Sequence, residues 1–273
     1  MEFKTFPNGV KTPVLGFGTW GMGGGVSPDN SNDEPEIKAI KHAISLGMTH
    51  IDTAEYYGKG HAEELVGEAI KGFDRKKLFI TSKVWSTHLS YDSVLKSAEQ
   101  SLKRMQLDCM DLYLIHWPNH SFPMKETMRA MNELVKNGKI KSVGVSNFSV
   151  KEMKDAQKYC STPIMTNQVQ YSLLHRAPEE DGVLDYCWKN SIILTAYTPL
   201  EKGQLARPGY KILDETAKKY KKTQAQVALR WLIQKKPVIA IPKAVNLKSI
   251  DDNAGALGWK LDEKDVKKLD EGF

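Results

Sequence analysis

Three separate segments of the sequence carry side chains that could together move a proton. Asp52 and Tyr57 lie close together in one segment, and Lys83 and His116 each lie in a later one. A tyrosine is a weak acid at neutral pH, but a lysine ammonium beside it stabilises the phenolate and lowers the pKa. An aspartate keeps that lysine charged, and an imidazole can polarise a carbonyl oxygen. These residue types predict a proton donor matched to a carbonyl, although Asp52 and Lys83 could instead form a purely structural ion pair.

The elements that must position these residues form a regular pattern. Eight apolar or β-branched runs alternate with amphipathic, helix-like stretches, and they fall at 14–19, 49–54, 78–84, 110–117, 141–146, 164–169, 192–198 and 238–242. No linker or composition break interrupts them, which predicts a single α/β domain over residues 1–273. A chain of 273 residues with eight such units favours a closed (β/α)8 TIM barrel, with an open doubly wound sheet as the alternative.

Polar residues mark the ends of these runs. They lie at or just past the C-terminal ends of the second to eighth runs and are Asp52, Lys83, His116, Ser146 with Asn147, Gln168, Tyr197 and Lys243. The C-terminal strand ends of a barrel surround one mouth, whereas those of an open sheet lie along an edge. We therefore expect an active site at a barrel mouth. The sequence Pro7-Asn8-Gly9 adds a predicted N-terminal hairpin turn, and two extra helices are predicted at 247–257 and 262–271.

Two familiar signatures are present without their usual context. Gly16-Phe-Gly18-Thr-Trp-Gly21 matches the dinucleotide fingerprint, but that motif must open a helix, and we expect no helix before about Pro35. His116 and His120 have the spacing of a zinc pair on a helix, but Pro118 lies between them. The three cysteines are odd in number and widely spaced, so free thiols are expected. The sequence therefore predicts neither a Rossmann domain nor a metal site.

The charge pattern is that of an ordinary globular protein. The formal net charge is +6, and the lysines alternate with acidic residues along helical stretches, which is typical of solvated helix faces. We therefore expect no nucleic-acid partner, although a modest positive charge suits anionic small ligands. No apolar run approaches the ~18 residues that a membrane span requires, and the first residues do not resemble a secretory signal. A cytoplasmic location without membrane association is expected.

The four candidate residues and their flanking motifs resemble those of the aldo-keto reductases. The resemblance extends from the N-terminal hairpin to the last helix, and it implies a tetrad of Asp52, Tyr57, Lys83 and His116 with Tyr57 as general acid. It also implies a nicotinamide cofactor bound at the barrel mouth, and hydride transfer to an aldehyde or ketone. The expected protein is an NADP(H)-dependent carbonyl reductase that acts as a monomer on a small carbonyl or alcohol substrate.

The resemblance also implies which residues touch the cofactor. Ser146, Asn147 and Gln168 look like the positions that bind the nicotinamide carboxamide, and Tyr197 resembles the ring that stacks on the nicotinamide. The remaining expected contacts are Asp52, with Thr19 and Trp20 near the nicotinamide ribose, Thr198 and Leu200 in the loop along the pyrophosphate, and Lys243, Ser249, Asp252 and Asn253 around the adenosine and its 2′-phosphate.

This sequence departs from the family pattern in ways that bear on specificity. Many relatives carry an arginine where Ser249 stands and a hydroxyl residue where Ala244 stands, and both changes weaken 2′-phosphate recognition. NADP(H) is therefore expected to be preferred, with NAD(H) also accepted. The short C-terminal tail predicts an open substrate pocket lined by Trp20, Tyr56, Trp85, His116 and Trp117.

Two other functions remain open at the level of the sequence. Some relatives of this family are non-catalytic, nicotinamide-binding regulatory subunits built on the same barrel. A metal-dependent barrel hydrolase or lyase is the other alternative, and the missing metal-ligand spacing disfavours it.

Overall fold

A computed structural model describes residues 2–5, 9 and 11–273. Its first feature is an antiparallel pair of short strands, β1 (Phe3–Thr5) and β2 (Lys11–Pro13), with Phe3 opposite Pro13. This pairing confirms the predicted N-terminal hairpin. Pro7 and Asn8 of the predicted turn lie outside the described residues.

In the part of the chain that the structure describes, the central sheet consists of eight parallel strands, and each pairs with the next one along the chain. They are β3 (Phe17–Gly18), β4 (His50–Asp52), β5 (Phe79–Val84), β6 (Leu112–Ile115), β7 (Val143–Ser146), β8 (Thr166–Gln170), β9 (Ile193–Tyr197) and β10 (Val238–Ala240). The last strand returns to the first, since Gly16 N donates to Ala240 O at 2.8 Å and Ala240 N donates to Val14 O at 3.0 Å. The sheet therefore curls into the predicted (β/α)8 fold.

Helices lie on the outside of the sheet, and all but the last two connect successive strands. They are α1 (Asp33–Ser45), α2 (His61–Ile70), α3 (Tyr91–Met105), α4 (Met124–Lys136), α5 (Val150–Tyr159), α6 (Ala177–Glu180), α7 (Val183–Lys189), α8 (Lys211–Tyr220), α9 (Gln224–Gln234), α10 (Leu247–Ala254) and α11 (Glu263–Glu271). Capping boxes at Ser149 and Thr223 begin α5 and α9. The helices α10 and α11 are the two predicted at the end of the chain.

Apolar residues fill the barrel on both sides of the sheet. One buried cluster fills the interior with Met165, which directly precedes β8, and with side chains from four of the strands, namely Phe79, Leu112, Leu114, Ile193 and Ile239. A larger cluster packs the outer face of the sheet against the helices. This two-sided burial explains why the strands read as nearly continuous apolar runs. None of the helices among the described residues combines the length and apolar character that crossing a membrane would require.

The glycine-rich segment after β3 does not open a helix. Its residues Met22–Gly24 form a single 3₁₀ turn, and the first α-helix begins only at Asp33. That start is two residues before the predicted Pro35, which the helix accommodates because the first backbone N–H groups of a helix have no internal partner. The rejection of a Rossmann motif is confirmed by this geometry.

Candidate active site

Three of the four candidate residues meet at the floor of the barrel mouth. Lys83, near the end of β5, donates from Nζ to Asp52 Oδ1 at 2.6 Å and to Thr53 O at 2.8 Å. The same ammonium lies 3.3 Å from the hydroxyl of Tyr57. Lys83 is fully buried and Asp52 is 2% exposed, so this ion pair is shielded from water. The sequence therefore brings an ammonium, a carboxylate and a phenol into one hydrogen-bonded group.

The local turn after β4 explains how Tyr57 reaches this group. The chain turns sharply at Gly58, which has a φ of 56° and follows the tyrosine directly. A Cβ atom at Gly58 would lie 2.2 Å from Gly23 O, so the glycine-rich segment packs tightly against this turn. Glycine at both places lets the two backbones approach closely, directly beside the residue whose ring lies in the barrel mouth.

The pKa of Tyr57 differs from what the sequence predicted. Burial raises the pKa of Tyr57 above its ordinary value, and the neighbouring Lys83 only partly opposes this rise. The expectation that Lys83 brings this pKa below the ordinary value is therefore wrong, because desolvation of the phenolate outweighs the ammonium's attraction. For Lys83, burial works against the charge, but the carboxylate of Asp52 and the nearby phenol outweigh it and raise its pKa. At neutral pH the phenol and the ammonium are both protonated.

His116 completes the group from the end of β6. Its ring lies 5.6 Å from that of Tyr57, centroid to centroid, at 74°. Burial and the charge of Lys83 lower the pKa of His116 to about 2, so the imidazole is neutral. Its Nδ1 is buried and has no hydrogen-bond partner among the described residues. A buried N–H without an acceptor is costly, which places the imidazole proton on Nε2.

Polar residues from the next strands surround the tetrad. Gln168 donates from Nε2 to Asp52 Oδ2 at 2.7 Å, and Ser146 Oγ donates to Gln168 O at 2.8 Å. Asn147 donates to His116 O at 3.1 Å and accepts from Tyr197 OH at 2.9 Å. Asp52 therefore has a donor on each carboxylate oxygen, and Tyr197 is fixed by its hydroxyl.

Aromatic rings form the side of the mouth above the tyrosine. Tyr56 stacks on Trp85 with centroids 3.8 Å apart and planes at 15°, and Trp20 lies 6.3 Å from Tyr56 at 11°. Trp20 and Trp117 are 49% and 43% exposed. These are the predicted pocket residues, and the structure brings them to the same cleft as His116.

A cleft of about 800 Å³ runs from the tetrad to the beginning of α10. Most of the predicted cofactor positions line it, while Thr19 lies beneath its surface, fully buried and donating to Asp52 O at 3.0 Å. His120 lies apart from His116, since it is on the surface within 3.2 Å of Glu152. The lining positions that sequence reasoning missed are Gly18, Gly21, Pro199, Lys202, Gly203, Ala206 and Ala225.

Part of the missed lining comes from the loop after β9. Thr198, Glu201 and Lys202 have positive φ angles of 51°, 46° and 53° there. Glu201 anchors the loop by accepting from Ser172 Oγ at 2.7 Å and from Gln170 Nε2 at 3.2 Å. Positive φ is uncommon for residues other than glycine, so Pro199 and Gly203 signalled a turn here but not its conformation.

Comparison with known proteins settles the family. The sequence profile of the Aldo/keto reductase family matches residues 14–272. This chain belongs to the aldo/keto reductase family. The expected family and fold are therefore confirmed.

Characterised members of the family are similar over nearly their whole length. The chain is 40% identical to a glyoxal reductase of Bacillus subtilis over 265 residues, which cover 96% of this chain and 90% of the relative. It is 37% identical to a methylglyoxal reductase of Escherichia coli over 272 residues, covering 98% and 93%.

Solved structures agree with the fold in detail. A thermostable aldo-keto reductase bound to the inhibitor epalrestat superposes with a TM-score of 0.96 at 47% identity, covering 99% of each chain. An aldo/keto reductase from Klebsiella pneumoniae, solved with NADP and acetate, gives a TM-score of 0.87 at 36% identity, covering 97% of this chain and 93% of that one.

The cleft of this aldo-keto reductase fits a long anionic cofactor. Its deep end holds the neutral His116 and the carboxamide of Gln168, and its outer end holds the ammonium of Lys243. The N-terminus of α10, capped by Asn246, also opens onto it. Backbone N–H groups at a helix N-terminus attract phosphates. The residues present therefore suit a nicotinamide at the deep end and a phosphorylated adenosine at the outer end.

Proposed function

We propose that this aldo-keto reductase reduces small aldehydes or ketones to alcohols with NADPH, and that Tyr57 supplies the proton. The observation that carries the proposal is the buried ammonium of Lys83, which joins Asp52 to the hydroxyl of Tyr57 beside His116. Relatives that reduce glyoxal and methylglyoxal support small dicarbonyl compounds as substrates. Related structures with NADP or NADPH bound support the cofactor.

The chemistry needs a hydride at the carbonyl carbon and a proton at the carbonyl oxygen. NADPH supplies the hydride when it is bound. Tyr57 donates its phenolic proton to the oxygen, and Nε2–H of His116 donates a hydrogen bond that holds and polarises that oxygen. The phenolate that remains is stabilised by the ammonium of Lys83, 3.3 Å away. Asp52 keeps the lysine in place and charged.

The cofactor would be held by residues from four strand ends. Gln168, Asn147 and Ser146 offer amide and hydroxyl groups to the nicotinamide carboxamide, and Tyr197 offers its anchored ring. The outer part of the cleft, with Thr198, Leu200, Lys243, Ser249, Asp252 and Asn253, would receive the pyrophosphate, the adenosine and the 2′-phosphate. Trp20 stays at the mouth, and Thr19 acts from below by holding the backbone of Asp52.

The experiment that tests this function is the loss of NADPH absorbance with glyoxal, methylglyoxal and a panel of ketones. We expect oxidation of NADPH that depends on the carbonyl compound, slower oxidation of NADH, and activity that survives chelation by EDTA. A protein that binds NADPH but reduces none of these compounds would be the regulatory subunit instead. The intact tetrad favours the enzyme. Since one chain supplies the whole cleft, we also propose that the monomer is active.

A further inference from the structure

Glu55 lies in the same segment as Asp52 and Tyr57 but has no place in the proton-donating group. Its carboxylate is only 8% exposed. The oxygen Oε1 accepts a hydrogen bond from the backbone N–H of Trp85 at 2.6 Å, and it lies 3.0 Å from Nδ1 of His88. Glu55 therefore connects the loop after β4 to the loop after β5, the neighbouring strand of the sheet.

The carboxylate of Glu55 binds the first backbone N–H group after the end of β5. Trp85 is the first residue after β5, so its backbone N–H follows the last paired residue of the strand. The carboxylate of Glu55 takes that donor, and His88 N donates to Trp85 O at 2.9 Å to close the short turn. A hydrogen bond to a charged acceptor is among the stronger ones in a protein. The backbone of Trp85 is therefore fixed by Glu55.

The ring of Trp85 belongs to what we call the aromatic wall, which consists of Trp20, Tyr56 and Trp85. Its planes are nearly parallel, at 11° and 15° between neighbours. The edge of Trp85 also meets His116, with centroids 5.1 Å apart at 82°. Glu55 directly precedes Tyr56 in the chain, and its carboxylate binds the backbone of Trp85. Glu55 is therefore attached to both of the stacked rings, those of Tyr56 and Trp85.

The charge of the cleft differs between its two ends. The end beside the tetrad is lined by the aromatic wall, by Trp117 and by the neutral His116. Of the described residues, the cations that line the cleft are Lys202 and Lys243, and they lie on the loops after β9 and β10. The ammonium of Lys83 lies beneath Tyr57, fully buried and paired with Asp52, so among these residues an anionic substrate would find no exposed cation beside the tetrad. A flat uncharged group can pack on the rings.

We propose that Glu55 is a positioning residue that holds Trp85 against Tyr56, and that the resulting aromatic wall favours uncharged carbonyl substrates with a flat conjugated group. The inference rests on the proposed carbonyl reduction and names the substrate class of that same site. Glu55 touches neither the reacting atoms nor the cofactor positions, so it acts through Trp85.

The test compares two aldehydes of similar size, the flat benzaldehyde and the puckered cyclohexanecarbaldehyde, with NADPH. We expect Glu55→Ala to lower the ratio of their kcat/KM values by about 3- to 10-fold, mainly through a higher KM for benzaldehyde, which is the worth of one aromatic contact. Glu55→Gln should restore most of the ratio because its amide oxygen can still accept from Trp85 N. The matched control is Glu68→Ala on α2, which removes an exposed carboxylate paired with Lys71 and should leave the ratio unchanged.

A double-mutant cycle shows whether Glu55 acts through Trp85. In a Trp85→Ala background, Glu55→Ala should change the ratio no further, and Trp85→Ala alone should lower it, which tests the wall even if Glu55→Ala does not fold. The near-ultraviolet circular dichroism of the ligand-free protein should weaken in Glu55→Ala and recover in Glu55→Gln. Equal losses for both aldehydes, or a full benzaldehyde preference in Trp85→Ala, would overturn the inference. A wild-type protein that reduces neither aldehyde would instead count against the proposed carbonyl reduction.

Discussion

Replacing Lys83 by methionine should damage stability and catalysis for two different reasons. Methionine has nearly the length of lysine but no charge, so Asp52 would be left as a buried carboxylate whose remaining donor, among the residues the structure describes, is Gln168 at 2.7 Å. Both members of the ion pair are almost fully buried, so solvent screening does not reduce its strength. Breaking such a pair costs about 3–5 kcal/mol. At roughly 2–4 °C per kcal/mol, the melting temperature should fall by about 6–20 °C.

Catalysis should fall for a separate reason. Without the ammonium 3.3 Å from its hydroxyl, Tyr57 loses the charge that stabilises its phenolate. Its proton becomes harder to give, and we expect turnover to drop by about 10²-fold or more. The binding of NADPH should change little, since Lys83 is fully buried below the cleft.

A double variant separates the two effects. Asp52→Asn combined with Lys83→Met removes the orphaned charge and should recover more than half of the lost free energy of unfolding, while turnover stays low. The assays are thermal unfolding by circular dichroism and NADPH oxidation with methylglyoxal. If the double variant were no more stable than Lys83→Met, or if it regained turnover, the reasoning about this ion pair would be refuted.

Three further outcomes are expected. Lys243→Met should weaken NADPH about tenfold and NADH hardly at all, because an ammonium at the exposed end of the cleft meets a phosphate as a point charge; equal losses in cofactor titrations would refute this. The rate of carbonyl reduction should be nearly constant across neutral pH and fall only at high pH, whereas the rate of alcohol oxidation should rise with pH. The reason is that burial raises the pKa of Tyr57 and that the pKa of His116 is about 2. A reduction rate with an inflection near pH 6.5 would contradict this. Gly58→Ala should destabilise the fold by about 3 kcal/mol or more, since its Cβ would lie 2.2 Å from a backbone oxygen. The control Gly138→Ala, also at positive φ but in open space, should cost only about 1 kcal/mol. Similar melting temperatures for the two variants would disprove the close approach.

Strand ends were the part of this site that could be predicted well from the sequence. Lys83 and His116 each end an apolar run, and the parallel barrel carries such ends to one mouth whatever their separation along the chain. The position of each residue at the end of its strand was therefore enough to place these side chains close together. The regular alternation of runs and helical stretches carried enough information for the fold and for the tetrad's neighbourhood.

Features that depend on how deeply a side chain is buried could not be predicted from the sequence. The raised pKa of Tyr57 results from its burial, and the turn that carries Tyr57 packs closely through Gly58 against Gly23, a residue far away in the sequence. The turn at Thr198 and Glu201 needs positive φ angles that these residue types rarely adopt, so the local preferences of these two residues did not predict its shape. Tertiary contacts decide both.

The central claim is that Tyr57, and not the adjacent Tyr56, donates the proton. Tyr57 is 7% exposed and lies beside Lys83, whereas Tyr56 stacks on Trp85 at the mouth. The most direct measurement is turnover of Tyr57→Phe and Tyr56→Phe with methylglyoxal, together with the dissociation constant of NADPH from tryptophan fluorescence quenching. We expect Tyr57→Phe to lose about 10²- to 10⁴-fold in kcat with NADPH binding intact, and Tyr56→Phe to keep most of its turnover. A larger loss in Tyr56→Phe, or substantial turnover in Tyr57→Phe, would contradict the assignment.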